Sequence, residues 1–225
     1  MGSDLTDNIQ IEFYGLPGCG KSTVSEIVAE ELELKGFRVV HASYETGDQV
    51  PKVKRIFVKL WRTFVYSVTR PANVSKIKSV VKQSGGTGFK HVNNIIQKLH
   101  YYDREGRKIY IWDQGLVQAS VSLSLEGDRK ACDILDDLMK ITDMKDKTVN
   151  IYMAEPVQTV IERMEMRSTN NATAEKIKDD DLKRKYLGRF GTACDSVRAD
   201  IKIEGAGRNP KQISEEIMER LKSFV

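Results

Sequence analysis

The stretch Gly15-Leu-Pro-Gly-Cys-Gly-Lys21-Ser22 places three glycines, a lysine and a hydroxyl within eight positions. Its spacing is Gly-x-x-x-x-Gly-Lys-Ser, the phosphate-cradling loop that leads from a buried strand into a helix. Gly15, Gly18 and Gly20 carry no Cβ, so the main chain there can approach an anion closely. Consecutive N–H groups then form an anion-binding nest at the positive end of the following helix. Lys21 would bring a point charge to the terminal phosphates, and Ser22 would set its hydroxyl on a magnesium ion. Gly15, Gly18, Cys19, Gly20, Lys21, Ser22 and Thr23 are therefore the expected ATP-binding residues.

A second chemical element is Lys108-Ile-Tyr-Ile-Trp-Asp113-Gln-Gly115. Four apolar residues end in Asp113, which would emerge at the carboxyl end of a central strand, where ligands bind in parallel sheets. An aspartate there either orients magnesium or takes a proton from an attacking hydroxyl. The third element is Arg163 and Arg167, four apart on a helix and followed by the polar, small-residue stretch 168–174. Two arginines at the base of a flap would close over transferring phosphates. The plain alternative is pairing with the adjacent Glu162 and Glu165 on a helix surface.

The elements that must position these residues alternate. Short apolar runs predict strands over 9–14, 37–42, 108–112, 148–153 and 200–204, the pattern of strands buried on both faces of a parallel sheet. Helical periodicity fits 52–69, 74–83, 89–105, 129–142, 156–167, 175–198 and 210–224. Segment 116–125 satisfies both periods, two for a strand and 3.6 for a helix. In 52–69, Val53, Ile56, Phe57, Leu60, Trp61, Phe64, Val65 and Val68 form one stripe, which predicts a core-facing side. That assignment makes Phe57, Trp61 and Phe64 packing residues rather than base-stacking ones. Alternation of this kind predicts an α/β fold.

Composition bounds the rest. A chain of 225 residues, 40% hydrophobic and 30% charged, has ordinary globular make-up, and its length predicts one large domain or a domain with a small insertion. No apolar run approaches membrane-spanning length, and no secretory segment is recognised. Cys19, Cys132 and Cys194 are odd in number and widely spaced, which reads as reduced thiols in a cytoplasmic protein. The opening Met-Gly-Ser fits either a lipidation pattern or an expression scar. Charge is uneven. Residues 50–108 hold fourteen Lys or Arg against Asp103 and Glu105, a local balance of +12 in a chain whose total is +4. Lys52, Arg55, Lys59 and Arg62 lie opposite the apolar stripe, so this is either a solvated helix face or a receiving surface for an anion.

Taken together, Gly15–Ser22, Asp113 after the third strand, and Arg163/Arg167 before a polar flap resemble the P-loop nucleoside and nucleotide kinases, thymidylate kinase-like proteins above all. The resemblance covers nearly the whole chain in element order. It implies a three-layer α/β sandwich whose five-stranded parallel sheet runs 2-3-1-4-5, with a helical acceptor-binding region over 50–106 and a lid over 163–178. It also implies ATP and Mg2+ as cofactors, with Ser22 and Asp113 at the metal, Lys21, Asp113, Arg163 and Arg167 as catalytic groups, and the loop 204–210 beside the adenine.

Two departures bear on the acceptor. Asp113 is followed by Gln114 and Gly115 rather than arginine, and Ser43-Tyr-Glu-Thr-Gly-Asp48 lacks the family's Arg-Glu-Pro type signature. Glu45, Arg62, Arg70 and Gln114 are thus the candidate acceptor contacts. The resulting expectation is transfer of the γ-phosphoryl of Mg·ATP to a small acceptor. An ATPase or nucleotide-dependent regulatory module, and a kinase of nucleic-acid ends using the basic segment, remain as alternatives. A GTP switch fits poorly, because no Asn-Lys-x-Asp motif is present. Expected partners are ATP and the small acceptor, with a homodimer open and no membrane.

Overall fold

The computed structural model of the chain describes residues 8–42, 52–102, 107–142, 148–166 and 173–225. Five strands form one sheet: β1 (Ile9–Gly15), β2 (Val39–His41), β3 (Ile109–Trp112), β4 (Thr148–Ala154) and β5 (Ile201–Glu204). All pairs are parallel and the order is β2-β3-β1-β4-β5. Registers such as Ile9 with Ile109 and Gly15 with Met153 bring the carboxyl ends of the strands to one edge. Ile11, Phe13, Ile111 and Ile151 are fully buried, as strands covered on both faces require.

The helices are α1 (Lys21–Leu34), α2 (Lys52–Thr69), α3 (Pro71–Gln83), α4 (Phe89–Tyr102), α5 (Leu116–Ser124), α6 (Ala131–Thr142), α7 (Val157–Glu165), α8 (Asp180–Asp195) and α9 (Pro210–Leu221). One layer is α1 against α9. The other carries α5 and α8 on β1, with α6 packed on α5. This is the three-layer α/β sandwich of P-loop proteins. None of the described helices is long and apolar enough to cross a membrane.

Three elements differ from the sequence expectation. Segment 116–125 is a helix: Ser120 and Ser122 donate their hydroxyls to carbonyls one turn back, Leu116 O and Gln118 O, at 2.9 Å each. Their polar groups are thereby satisfied on the helix itself, so the period-two alternation does not need a strand. The expected helix 175–198 is broken. A single 3₁₀ turn covers Ala174–Lys176, Ile177 is extended, and α8 starts only after Asp179, whose carboxylate accepts from Leu182 N at 2.9 Å. Thirdly, α3 begins at Pro71 itself rather than at 74, with proline in the first turn where its missing N–H costs nothing.

The largest correction concerns α2. Ile56, Phe57, Leu60, Trp61, Phe64 and Val68 are 53–67% exposed, so the apolar stripe looks outward. What packs inward is the other side. Thr63 and Tyr66 are buried, and Gln97 Nε2 on α4 donates to Lys59 O at 2.8 Å and Thr63 Oγ1 at 2.7 Å. Thr63 donates to Asn93 Oδ1, and Arg62 donates to Tyr101 Oη at 2.5 Å while its guanidinium lies 4.9 Å from that ring's centre. Asn93, Gln97 and Tyr101 form one row on α4. That polar row engages the polar side of α2 and turns its hydrophobic side away.

Candidate active site

The loop joining β1 to α1 is shaped by main-chain constraints. A Cβ on Gly15 would fall 2.5 Å from Met153 O on β4, so only glycine lets the strand turn here. Gly20 caps α1 in the left-handed region with φ 94°, where a side chain would be strained. The amino end of α1 therefore opens directly from the carboxyl edge of the sheet, with Ser22 and Thr23 exposed on its first turn.

Lys21 is buried inside this bend. Its Nζ donates to Gly15 O at 3.0 Å and Leu16 O at 2.8 Å, and lies 3.6 Å from Cys19 Sγ. The ammonium is thus held within the curve of the loop by two of its own carbonyls. Cys19 is itself almost wholly buried.

Ser22 Oγ donates to Asp113 Oδ2 at 2.7 Å, across 91 residues of chain. Asp113 follows the last residue of β3, and β3 is hydrogen-bonded to β1, so the two loops leave the same edge side by side. A hydroxyl and a carboxylate in contact at the start of a helix are the hard oxygen donors that magnesium takes, with the rest of its shell left to water and phosphate. The pair fits that ion. Among the described residues no cluster of three or more His, Cys, Asp or Glu exists that would suggest a protein-only metal cage.

The turn after Asp113 has a cation and a carboxylate beneath it that sequence reasoning missed. Lys98, on α4, is buried and donates to Gln114 O, with its ammonium 5.9 Å from the centre of the Trp112 ring. Burial holds Lys98 below its ordinary pKa, while Glu12 and Asp113 nearby act in the opposite sense. Glu12, on β1, is fully buried; its Oε1 accepts from Gln118 N at 3.0 Å. Burial pushes the Glu12 carboxyl up to about 7, against the amides of α5 and the charge of Lys98. A Cβ on Gly115 would lie 2.3 Å from the Glu12 carboxyl, so that glycine is required by close approach. Gln118 links the two loops: its side-chain oxygen accepts from Gly15 N at 3.3 Å. Lys98 carried no signal in the sequence, being one of fourteen cations in its segment. A glutamate inside the apolar strand Ile9–Gly15 was a visible anomaly. His41, closing β2, is held below its ordinary pKa by burial, partly offset by Asp113 and glutamates.

The remaining expected residues fall as follows. Arg163, on α7, is anchored to Glu155 just beyond β4 at 3.0 Å, and the Glu155 side chain is 1% exposed. Its partner is thus neither Glu162 nor Glu165. Arg62 serves the α2–α4 contact through Tyr101. Arg70, between α2 and α3, and Gln114 have exposed side chains. Glu45 and Arg167 lie outside the described residues. In the loop 204–210, Arg208 pairs with Glu216 at 2.6 Å, and Asn209 with Gln212 forms a reciprocal cap on α9.

No protein-family model and no curated protein matches the chain. Solved structures do. The chain is similar to shikimate kinase from Aquifex aeolicus, with TM-score 0.51 and 14% identity over 96% of this chain and 97% of that one. It is similar to shikimate kinase from Bacteroides thetaiotaomicron, with TM-score 0.51 and 12% identity over 95% and 98%. Deoxyadenosine kinase from M. mycoides with bound dCTP gives TM-score 0.50 and 16% identity over 96% and 100%. At such identities the likeness is one of fold: the chain has the fold of P-loop small-molecule kinases, as a divergent example.

Proposed function

We propose that the protein is an ATP-dependent phosphotransferase that moves the γ-phosphoryl group of Mg·ATP to a small, anionic acceptor. The observation that carries the reading is the Ser22–Asp113 contact at 2.7 Å, beside Lys21 and the amino end of α1. A phosphate-binding loop alone occurs in many proteins, but one meeting a carboxylate from the adjacent strand makes a site with both charge neutralisation and a proton acceptor. The neighbouring folds belong to kinases of shikimate and deoxyadenosine, both small molecules, and this supports a small acceptor here.

In this reading the amides of Gly18 to Ser22 bind the phosphate tail and Lys21 supplies a positive charge to it. Ser22, together with Asp113 in its anchoring role, would hold a magnesium ion, which would supply further charge neutralisation. The acceptor oxygen attacks the γ-phosphorus, the bond to the β–γ bridging oxygen breaks, and ADP departs. Asp113, the carboxylate at the rim of the loop, has one of two roles, magnesium anchor or acceptor of the acceptor's proton; in the first role that proton leaves to water. The basic helices of 50–106 receive the acceptor, residues 163–178 with Arg167 act as a lid, and 204–210 borders the base. The cytoplasm, where ATP is abundant, is the compartment that suits this chemistry.

The test is incubation with γ-labelled ATP and a panel of hydroxyl-bearing and phosphorylated metabolites. Label on a small molecule is the expected result. Label appearing only as free phosphate, or on oligonucleotide ends, overturns the proposal in favour of an ATPase or a nucleic-acid end kinase.

A further inference from the structure

Six of the eleven large apolar side chains that stand exposed among the described residues belong to one helix: Ile56, Phe57, Leu60, Trp61, Phe64 and Val68 of α2, each more than half exposed. Steps of three and four keep them on one side of an 18-residue helix, which is about 27 Å long. The Trp61 and Phe64 rings lie 6.1 Å apart, so the aromatic part is one patch. Scattered apolar residues on a surface need no explanation, but a contiguous stripe marks an interaction surface.

Charge narrows what meets it. Residues 52–102, which make up α2, α3 and α4, contain eleven Lys or Arg and no Asp or Glu. The whole chain is only +4, so everything outside these helices is net negative. Lys76, Lys78 and Lys82 on α3 and Lys90 on α4 are exposed. The stripe therefore belongs to a lobe whose every formal charge is positive.

The stripe is not a wall of the candidate active site. The inner side of α2 packs on α4 through Lys59 O, Thr63 and Gln97. Lys59 is near enough to Lys98 to act on its charge, and Lys98 lies beneath the Asp113 turn. The apolar side looks the other way. A second copy would set two wholly cationic lobes against each other. A nucleic acid would match the charge, but Ile56, Leu60 and Val68 have no ring to stack on a base and no donor for a phosphate.

We propose that α2 is a membrane-docking helix, which lies in the plane of an anionic phospholipid surface with Ile56, Phe57, Leu60, Trp61, Phe64 and Val68 in the acyl boundary. An interfacial helix carries Trp, Phe and Leu on one face and Lys and Arg on the other, as α2 does. Lipid supplies both halves of the match, hydrocarbon for the stripe and head-group phosphate for the cations. A fluid bilayer also takes a convex helix without needing a preformed groove. Contact of this kind needs no spanning helix, and none is present among the described residues. The inference stands apart from the phosphotransfer reading, because the docking side faces away from the phosphate loop.

Trp61 provides the readout. The chain has two tryptophans; Trp112 is 4% exposed, with its Nε1 donating to Gln10 Oε1 at 2.7 Å, whereas Trp61 is 58% exposed. Any change in solvent contact therefore reports on α2. The purified full chain is mixed with vesicles of phosphatidylcholine containing about one-third phosphatidylserine, and with vesicles of phosphatidylcholine alone. Co-sedimentation is expected with the anionic vesicles, at least about tenfold stronger than with the neutral ones, and weaker as salt rises from about 0.1 to about 0.5 M. Tryptophan emission should shift to the blue and lose its quenching by acrylamide. Phe57→Ser and Leu60→Ser, at exposed positions, should each lower vesicle affinity by about tenfold. The lipid comparison uses the unaltered chain and so does not depend on how the variants fold. Four results overturn the inference: no binding to anionic vesicles, equal binding to neutral ones, binding that leaves Trp61 open to acrylamide, or binding that both serine variants retain in full. A chain that sediments as a dimer with Trp61 already shielded before lipid is added, or one whose Trp61 is shielded by an oligonucleotide instead, overturns it as well.

Discussion

Ser22 and Asp113 are joined by a 2.7 Å hydrogen bond although 91 residues separate them. Ser22 begins α1 and Asp113 leaves β3, and the contact exists because β3 lies beside β1 in the sheet. Asp113→Asn keeps an acceptor for the serine hydroxyl but removes the charge. Nucleotide binding is expected to survive while turnover falls by about 10²–10⁴. Ser22→Ala should fall comparably, and the double variant should be no worse than the more damaged single one, because groups that act as a unit are non-additive. Single-turnover rates with nucleotide affinities measured in parallel check this; simple multiplication of the two losses would count against a shared role.

Lys21→Ala removes the ammonium that spans Gly15 O and Leu16 O. Turnover is expected to drop by at least about a hundredfold. Far-ultraviolet circular dichroism should be unchanged, since helix α1 is not built on that side chain. Retained activity within tenfold would place phosphate charge neutralisation elsewhere.

Arg163 and Arg167 should behave differently. Arg163→Ala leaves the buried Glu155 carboxyl without its ion-pair partner. A loss of roughly 1–3 kcal/mol in folding stability follows, and adding Glu155→Gln should recover part of it. Arg167→Ala is expected to lower kcat with little change in melting temperature, as a lid residue acting in the transition state would. Thermal melts and steady-state kinetics on the two variants separate these roles.

Glu12 makes stability fall with rising pH. Its folded-state carboxyl titrates near 7 against an ordinary value of 4.5. Between those values the folded protein retains a proton that the unfolded chain has lost. Unfolding free energy therefore declines as pH rises through that window, by on the order of 3 kcal/mol in all, and is flat above it. Denaturant titrations at stepped pH check this. Glu12→Gln should remove most of the decline, and an unchanged slope would assign the effect to other groups.

The exposed side of α2 yields a prediction opposite to the one its periodicity suggests. Phe57→Ser and Trp61→Ser should each change stability by no more than about 0.5 kcal/mol, as exposed positions do. Tyr66→Ala, on the buried side, should cost about 3–5 kcal/mol. Large losses at Phe57 and Trp61 would show that the stripe is covered in solution.

The residue sequence alone determined the phosphate loop, because its chemistry is local: glycines, lysine and hydroxyl act at fixed offsets along a single bend. Strand and helix alternation was also readable, since periodicity is a short-range property, and the sheet order followed from resemblance to a known family. Only the folded structure decided what depends on distant partners. Segment 116–125 had two acceptable periods until serine hydroxyls closed on carbonyls one turn away. The stripe of α2 looked like a core face, yet the polar row Asn93, Gln97 and Tyr101 on α4 claimed its other side. Lys98 and Glu12 meet beneath the Asp113 turn from different elements. Periodicity states that a helix has two unlike faces; which one is buried is set by the surface it meets, and that surface comes from elsewhere in the chain.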